Sequence, residues 1–105
     1  IWEADSLGQA QGHAAIRELF KKFQTLISFS QHQVMNPVIK IDGDRATGIW
    51  YFFGPFTFYK DNQAKWLAAR YNDDYVKVNG EWKIQHLRAR GRMHADYEKS
   101  WADKD

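Results

Sequence analysis

The chain has 105 residues, 44% apolar and 16% aromatic, with fifteen basic and thirteen acidic side chains and a net charge of +2. That length sets one domain, the apolar content excludes disorder, and the near balance of charge gives no reason to expect a nucleic-acid partner. Cysteine is absent, which excludes disulfides, thiol chemistry and cysteine-bearing zinc sites; this usage fits a cytoplasmic protein, and no apolar run approaches the roughly 18 residues of a membrane span.

Ile1-Trp2-Glu3-Ala4 reads as the inside of a strand and Ile1 is not an initiator Met, so further residues are expected upstream. Ile16, Leu19, Phe20, Phe23, Leu26 and Ile27 then recur as one stripe of a 3.6-residue period, with Arg17, Glu18, Lys21 and Lys22 opposite. This predicts a helix over 13–25. Residues 27–41 turn to a strand composition, and Asp42-Gly43-Asp44 supplies a hairpin turn. Ala46 to Tyr59 is a strand, with a bulge or bend expected at Gly54-Pro55 because Pro lacks the N–H that a central ladder needs. A turn at 60–63, a strand over 64–78, an Asn79-Gly80 turn and a strand from Trp82 to about Arg92 follow. The charged tail carries Tyr97 and Trp101 at helical spacing, as a short docked helix or a frayed end. The sum is α+β: a curved antiparallel sheet of four long strands plus a short one, packed on a single helix.

From Ser30 to Tyr51 the chain runs Ser-Gln-His-Gln-Val-Met-Asn-Pro, then a strand, Asp-Gly-Asp, and Ala46-Thr47-Gly48-Ile49-Trp50-Tyr51. Later come Tyr71-x-Asp73-x-Tyr75-x-Lys77 and Gly80-x-Trp82-x-Ile84. In this order the motifs resemble the SnoaL-like domain of the NTF2-like superfamily, nearest the branch that includes scytalone dehydratase and bile-acid 7α-dehydratase. The resemblance covers nearly all of residues 1–95. It implies a cone: a strongly bent sheet around a small-molecule pocket, with helices closing the mouth, some of them upstream of residue 1. It also implies a homo-oligomer, and a His before the hairpin that works with Tyr and Asp side chains. His32 matches that His. An acid that the bile-acid enzyme carries just after its Trp-Tyr pair falls near Gly54 here, a departure from the pattern.

His32 is therefore the candidate general acid or base, able to move a proton near neutral pH; the competing reading is a His that hydrogen-bonds within the sheet. Tyr71, Asp73 and Tyr75 alternate onto one strand face and Arg70, Asn72 and Asp74 onto the other. Val76 and Val78 share the second face, so simple alternation argues for it as the core side, while the resemblance favours the first. On that first choice Asp73 orients His32 and Tyr71 donates to a substrate oxygen. Trp2, Trp50, Phe52, Asn36 and His86 are the candidate ligand contacts, His86 because it lies in phase with Trp82 and Ile84; rings such as Trp50 and Trp82 are more often plain core than pocket wall. No His-x-x-x-His spacing supports a metal, and no cofactor motif is present. Arg88, Arg90 and Arg92 share a face that reads as a charged edge or an oligomer contact rather than a nucleic-acid surface. Two functions follow from these expectations: a cofactor-free dehydratase or isomerase acting on an apolar hydroxylated carbonyl compound, or a non-catalytic ligand-binding or oligomerisation domain. The aromatic surplus on a wide sheet predicts a homodimer or homotrimer.

Overall fold

The computed structural model describes residues 1–102. One seven-stranded sheet runs β2 (Gly8–Ala10), β1 (Trp2–Ala4), β7 (Glu81–Asp96), β6 (Gln63–Val78), β5 (Arg45–Phe58), with both β3 (Ile27–Ser30) and β4 (Gln33–Asp42) pairing β5 on its far edge. The helix α1 (His13–Leu26) connects β2 to β3. The four long strands are those expected from the sequence, but three short strands accompany them. The sheet is mixed, since β1 runs parallel to β7.

Turn chemistry fixes the long strands. Gly43 has φ +62° at the tip of the β4–β5 hairpin, and Asn79 and Gly80 have φ +51° and +81° between Val78 and Glu81. Positive φ at both central residues is the turn whose twist matches paired strands, and Asn-Gly meets it at low cost. The sheet then bends. The Cα radius of gyration is 15.6 Å, against about 13 Å for a compact chain of this size. The buried apolar residues are Phe52 and Phe56 with five alanines (Ala4, Ala10, Ala46, Ala89, Ala95). The molecule is an open trough, with its core spread thinly and all of it but Ala95 along one sheet face.

Helix α1 crosses the mouth of this trough. Of its stripe, Ile16, Leu19 and Phe23 are half-buried, while Phe20 and Leu26 keep 45% and 50% of their surface exposed. The helix is seated chiefly by Trp2, whose ring lies 5.4 Å from Phe20 and 5.6 Å from Phe23. Its N-terminus has no side-chain cap; Gly12, at φ +87°, turns the chain into it.

One expectation is corrected here, and one of two readings of the tail is set aside. Gly54-Pro55 makes no bulge in β5 against β6, the two strands pairing in unbroken register from Arg45 to Phe58. The interruption falls on the other side, where β3 ends at Ser30 and β4 starts at Gln33. In an antiparallel strand a residue's N and C=O point to the same neighbour. The Pro55 carbonyl accepts from Gln31 in that gap, so the missing Pro55 N–H also faces the gap and no ladder bond is lost. The tail forms turns rather than a helix up to residue 102, and the Tyr97 and Trp101 rings are 66% and 75% exposed instead of docked; residues 103–105 lie outside the described part.

Candidate functional site

Strand register decides which side chains meet. Even-numbered residues of β5 supply the covered face: Ala46, Gly48, Phe52, Gly54 and Phe56 are buried and Trp50 is half-buried. Directly opposite residues share a face. Gly48 pairs Asp73, Trp50 pairs Tyr71, and Ala46 pairs Tyr75; on the next strand Asp73 pairs Leu87 and Leu87 pairs Trp2. Trp2 touches α1, so Tyr71, Asp73 and Tyr75 lie on the helix-facing side, and Arg70, Asn72 and Asp74 on the outer side.

His32 sits in the two-residue gap between β3 and β4, and its placement is enforced by two neighbours. Gln31 is tied to Pro55 by a 3.1 Å backbone hydrogen bond. Its carbonyl passes so close over Gly54 that a Cβ there would overlap it. The same crowding explains why no acid stands at position 54. The His32 ring is then laid on the helix-facing side, 4.8 Å from the Phe52 ring and 5.2 Å from Phe56. Phe52 in turn stacks on Tyr71 at 6.0 Å and 13°. Desolvation by these rings holds the His32 pKa below the ordinary imidazole value. At neutral pH the ring is uncharged, with one nitrogen carrying a lone pair. Tyr71 is pushed up, first by burial and then by the nearby Asp73.

Asp73 occupies a different part of this face. It is 5% exposed. Its Oδ2 accepts from the Tyr75 hydroxyl at 3.0 Å, and the Tyr75 oxygen accepts from the Trp50 indole N–H at 2.8 Å. Tyr75 reaches Trp50 by leaning over Gly48, where a Cβ would lie 2.7 Å from its ring. Burial raises the Asp73 pKa above the usual carboxylate range, against the lowering effect of the Tyr75 bond.

The expected partnership of Asp73 with His32 is not formed. Gln33 pairs Phe53, which sets His32 beside Gly54, whereas Asp73 pairs Gly48. Six residues of β5 separate the two, roughly 20 Å along a strand rising ~3.3 Å per residue. His86 is also displaced from expectation. Asp74 pairs His86 while Tyr75 pairs Ile84, so Gln85 is an extra residue and the faces swap. His86 lies on the outer face, with Nε2 3.1 Å from Glu3 and Nδ1 3.1 Å from Arg88, which also binds Asp74 at 3.0 Å. Asn36, at φ +56°, is exposed in the bulge where Asn36 and Pro37 stand against Trp50. Trp50 and Phe52 lie on the helix-facing side with Trp2. Two contributors were not singled out beforehand: Phe56, legible as the position four after Phe52, and the Tyr75 hydroxyl as a link, legible only as part of the alternation.

The hollow under α1 is open rather than a closed cavity around His32. Two cavities of about 380 and 280 Å³ lie at the β7 end and the turn after it, beside Lys65, His94, Asp96 and Trp101 or beside Asp61 and Tyr97. Among the described residues no cluster of three or more His, Asp or Glu side chains is arranged to hold a metal, and no helix is long and apolar enough to cross a membrane.

A curled sheet with one helix across its aromatic concave face defines the cone of NTF2-like proteins. The chain belongs to the SnoaL-like domain family, whose model matches residues 1–88. Its backbone is similar to hexachlorocyclohexane dehydrochlorinase LinA-type3 from Novosphingobium barchaimii LL02, with a TM-score of 0.85 and 19% identity over 99% of this chain and 73% of that one. A scytalone dehydratase-like protein from Novosphingobium aromaticivorans DSM 12444 matches at TM-score 0.73 and 24% identity, over 87% of this chain and 62% of that one. An NTF2-like superfamily protein from Salmonella enterica serovar Typhimurium matches at 0.77 and 18%, over 86% and 66%. The chain thus spans about two thirds of the length of these structures. No curated protein matches the sequence.

Proposed function

We propose that this domain binds an apolar small molecule against the helix-facing sheet and carries out a cofactor-free elimination of the lyase type, with His32 as the general base. The observation that carries the reading is an uncharged imidazole laid between Phe52 and Phe56, with no hydrogen bond to any described residue that would occupy its lone pair. A His serving the sheet would be bonded to it; the contacts of this one are with the Phe52 and Phe56 rings, and the rest of its side chain is exposed. In the elimination, His32 takes the proton from a carbon next to the one bearing the leaving group. The C–H pair becomes the double bond, and the leaving group departs with its own electron pair. Where that group is hydroxyl, the proton returns to it and water is lost. Tyr71, across the Phe52 ring from His32, supplies an O–H toward a substrate oxygen. Fold likeness to a dehydrochlorinase and to a scytalone dehydratase-like protein supports this class of chemistry.

A second reading is a ligand-binding domain of the same fold without turnover. It is favoured by the open hollow and by the distance between His32 and Asp73. The test is His32→Ala, measured for turnover and thermal melting on one sample, with substrates found by screening hydroxylated and halogenated apolar compounds. A general base contributes about 10²–10⁴ in rate, so a loss of that size with an unchanged melting temperature supports the enzyme. Ligand binding without turnover in wild type supports the second reading. A homodimer or homotrimer belongs to the same proposal. Its contact surface is the outer face of β4–β5, where Val38, Tyr51 and Phe53 are 55%, 39% and 37% exposed. Light scattering that returns a monomer at high micromolar concentration would count against it.

A further inference from the structure

At the end of β7 the chain turns back beside a cavity of about 380 Å³ that the proposed chemistry does not use. The Tyr97 N–H donates to the Ala64 carbonyl at 2.9 Å and the Lys99 N–H to the Asp96 carbonyl at 3.0 Å. This turn brings Lys99 and Trp101 into one lining with Lys65, Arg92, His94 and Asp96. Arg92 stands there as an extra residue of the ladder, since Ala68 pairs Met93 and Ala69 pairs Gly91.

The lining has a sign. Lys65, Arg92 and Lys99 meet a single carboxylate, Asp96. In the neighbouring cavity of about 280 Å³ the balance is reversed, with Asp61, Asp96 and Glu98 against Lys99. Asp96 is already engaged by Lys65 at 3.4 Å. The Lys65 side chain is only 19% exposed and its ammonium lies 5.7 Å over the Phe58 ring; with three donors it has hydrogen bonds to spare. Arg92 and Lys99 form no ion pair with any described residue. Cations gathered around one small space repel each other until an anion joins them. Their field reaches the cavity wall: the His94 pKa is held below the ordinary imidazole value, first by burial and then by Lys65, against the pull of Asp96. The Trp101 ring, 75% exposed, adds a flat apolar wall.

We propose that this cavity is a binding site for a small aromatic carboxylate, its carboxylate held by Lys65, Arg92 and Lys99 and its ring laid against Trp101. Guanidinium and ammonium groups make their strongest hydrogen bonds to anionic oxygens, and an indole beside cations suits a planar ring with a charged end. A single negative charge is the better match, because Asp96 already offsets one of the three cations. The site is separate from His32. His94 pairs Leu67 and Leu67 pairs Gly54, so His94 lies two strands from the glycine beside His32, about 10 Å at ~4.8 Å per strand. The proposal therefore stands whether or not the hollow under α1 turns over a substrate.

The experiment titrates the whole chain with benzoate and with benzamide, which has nearly the same shape and no charge, and follows the backbone amides in a nitrogen–proton correlation spectrum. Benzoate should bind about tenfold more tightly than benzamide and should move the amides from Arg92 to Trp101. The double variant Arg92→Gln/Lys99→Gln, made at two exposed side chains, should bring benzoate down to the level of benzamide and leave the melting temperature unchanged. Trp101→Leu should weaken both probes together. Equal affinity for the two probes in wild type overturns the proposal, as does no binding of benzoate or tighter binding of benzylammonium, which would give the site to Asp96. Benzoate shifts centred on Phe52 and Phe56 would put the probe in the hollow and also overturn it. So would inorganic phosphate binding more tightly than benzoate, which would mark a site for a bare anion. Asp103→Asn/Asp105→Asn should leave benzoate affinity as it is; a tenfold rise would assign these cations to the acids of the chain's own tail.

Discussion

Asp73 and Asp74 are neighbours in sequence and opposites in environment. Asp73 lies buried on the helix-facing side and accepts from the Tyr75 hydroxyl; Asp74 lies on the outer side, paired with Arg88 in partial contact with water. The two histidines repeat the contrast: His32 touches phenyl rings on one face, and His86 sits between Glu3 and Arg88 on the other. On the helix-facing side burial shifts Asp73 up and His32 down, each toward its neutral form, whereas Asp74 and His86 sit beside charged partners on the outer side. The period of two along a strand is enough to produce this, because each step of one residue moves a side chain from one medium to the other.

The largest effect expected is at Gly54, on which the helix-facing arrangement of His32 depends. Gly54→Ala places a methyl into the Gln31 carbonyl, which belongs to backbone and cannot swing aside. Overpacking of this kind costs about 3 kcal/mol, read by urea denaturation, and the β3–β4 gap should open, taking His32 off Phe52. A variant as stable as wild type would mean that the gap is not the fixed point described here. Next is Tyr75→Phe. It removes one hydroxyl and leaves two buried groups, Asp73 Oδ2 and the Trp50 N–H, without partners. A loss of about 1–3 kcal/mol follows from unpaired buried polar atoms, and the Trp50 indole proton should move in a nitrogen–proton correlation spectrum.

The two shifted groups of the helix-facing side also predict opposite slopes of stability with pH. The folded pKa of Asp73 is raised, so its contribution is fully present below the unfolded carboxylate value and is lost as pH rises through the folded one. The folded pKa of His32 is lowered, so its contribution is present above the unfolded imidazole value of 6.5 and is lost as pH falls through the folded one. Asp73→Asn should flatten the first slope and His32→Gln the second, each leaving the other in place. Melting temperatures across the acid range for wild type and the two variants decide this, and a His32→Gln curve parallel to wild type would show that ring to be solvated.

Much of this contrast was legible in the sequence, because turn residues and alternation are local. Gly43 and Asn79-Gly80 set the hairpins, and the alternation of Tyr71, Asp73 and Tyr75 placed them together before any register was known. What was not legible depends on single extra residues and on long-range neighbours. Gln85 bulges out of the β6–β7 ladder, and that one residue carries His86 from the phase of Ile84 to the other face; nothing in the local composition marks it. Pro55 looked like a break in its own strand, whereas the break belongs to the strands beside it, since the missing donor faces their gap. The Asp73–His32 pairing failed for a similar reason: each residue was on the expected face, but the register of three strands sets them six residues apart along β5.

The smallest effect is expected at His86. Arg88 has only donors to offer, so the Nδ1 that it contacts must accept, and the His86 proton is on Nε2, directed at Glu3. The ring bridges two charges that already meet, with Arg88 3.6 Å from Glu3 and Arg90 3.9 Å from it. His86→Ala removes the bridge and leaves those pairs and the backbone ladder from β1 to β7 intact. Its loss should therefore lower stability less than Tyr75→Phe does, and the difference from wild type should shrink in high salt, where matched surface charges are screened. Binding of apolar probes should be unchanged, because the ring lies on the far side of the sheet from Phe52. A His86→Ala protein that loses probe binding to the extent of a His32 variant would put both histidines on one face, and would require the bulge at Gln85 to be absent.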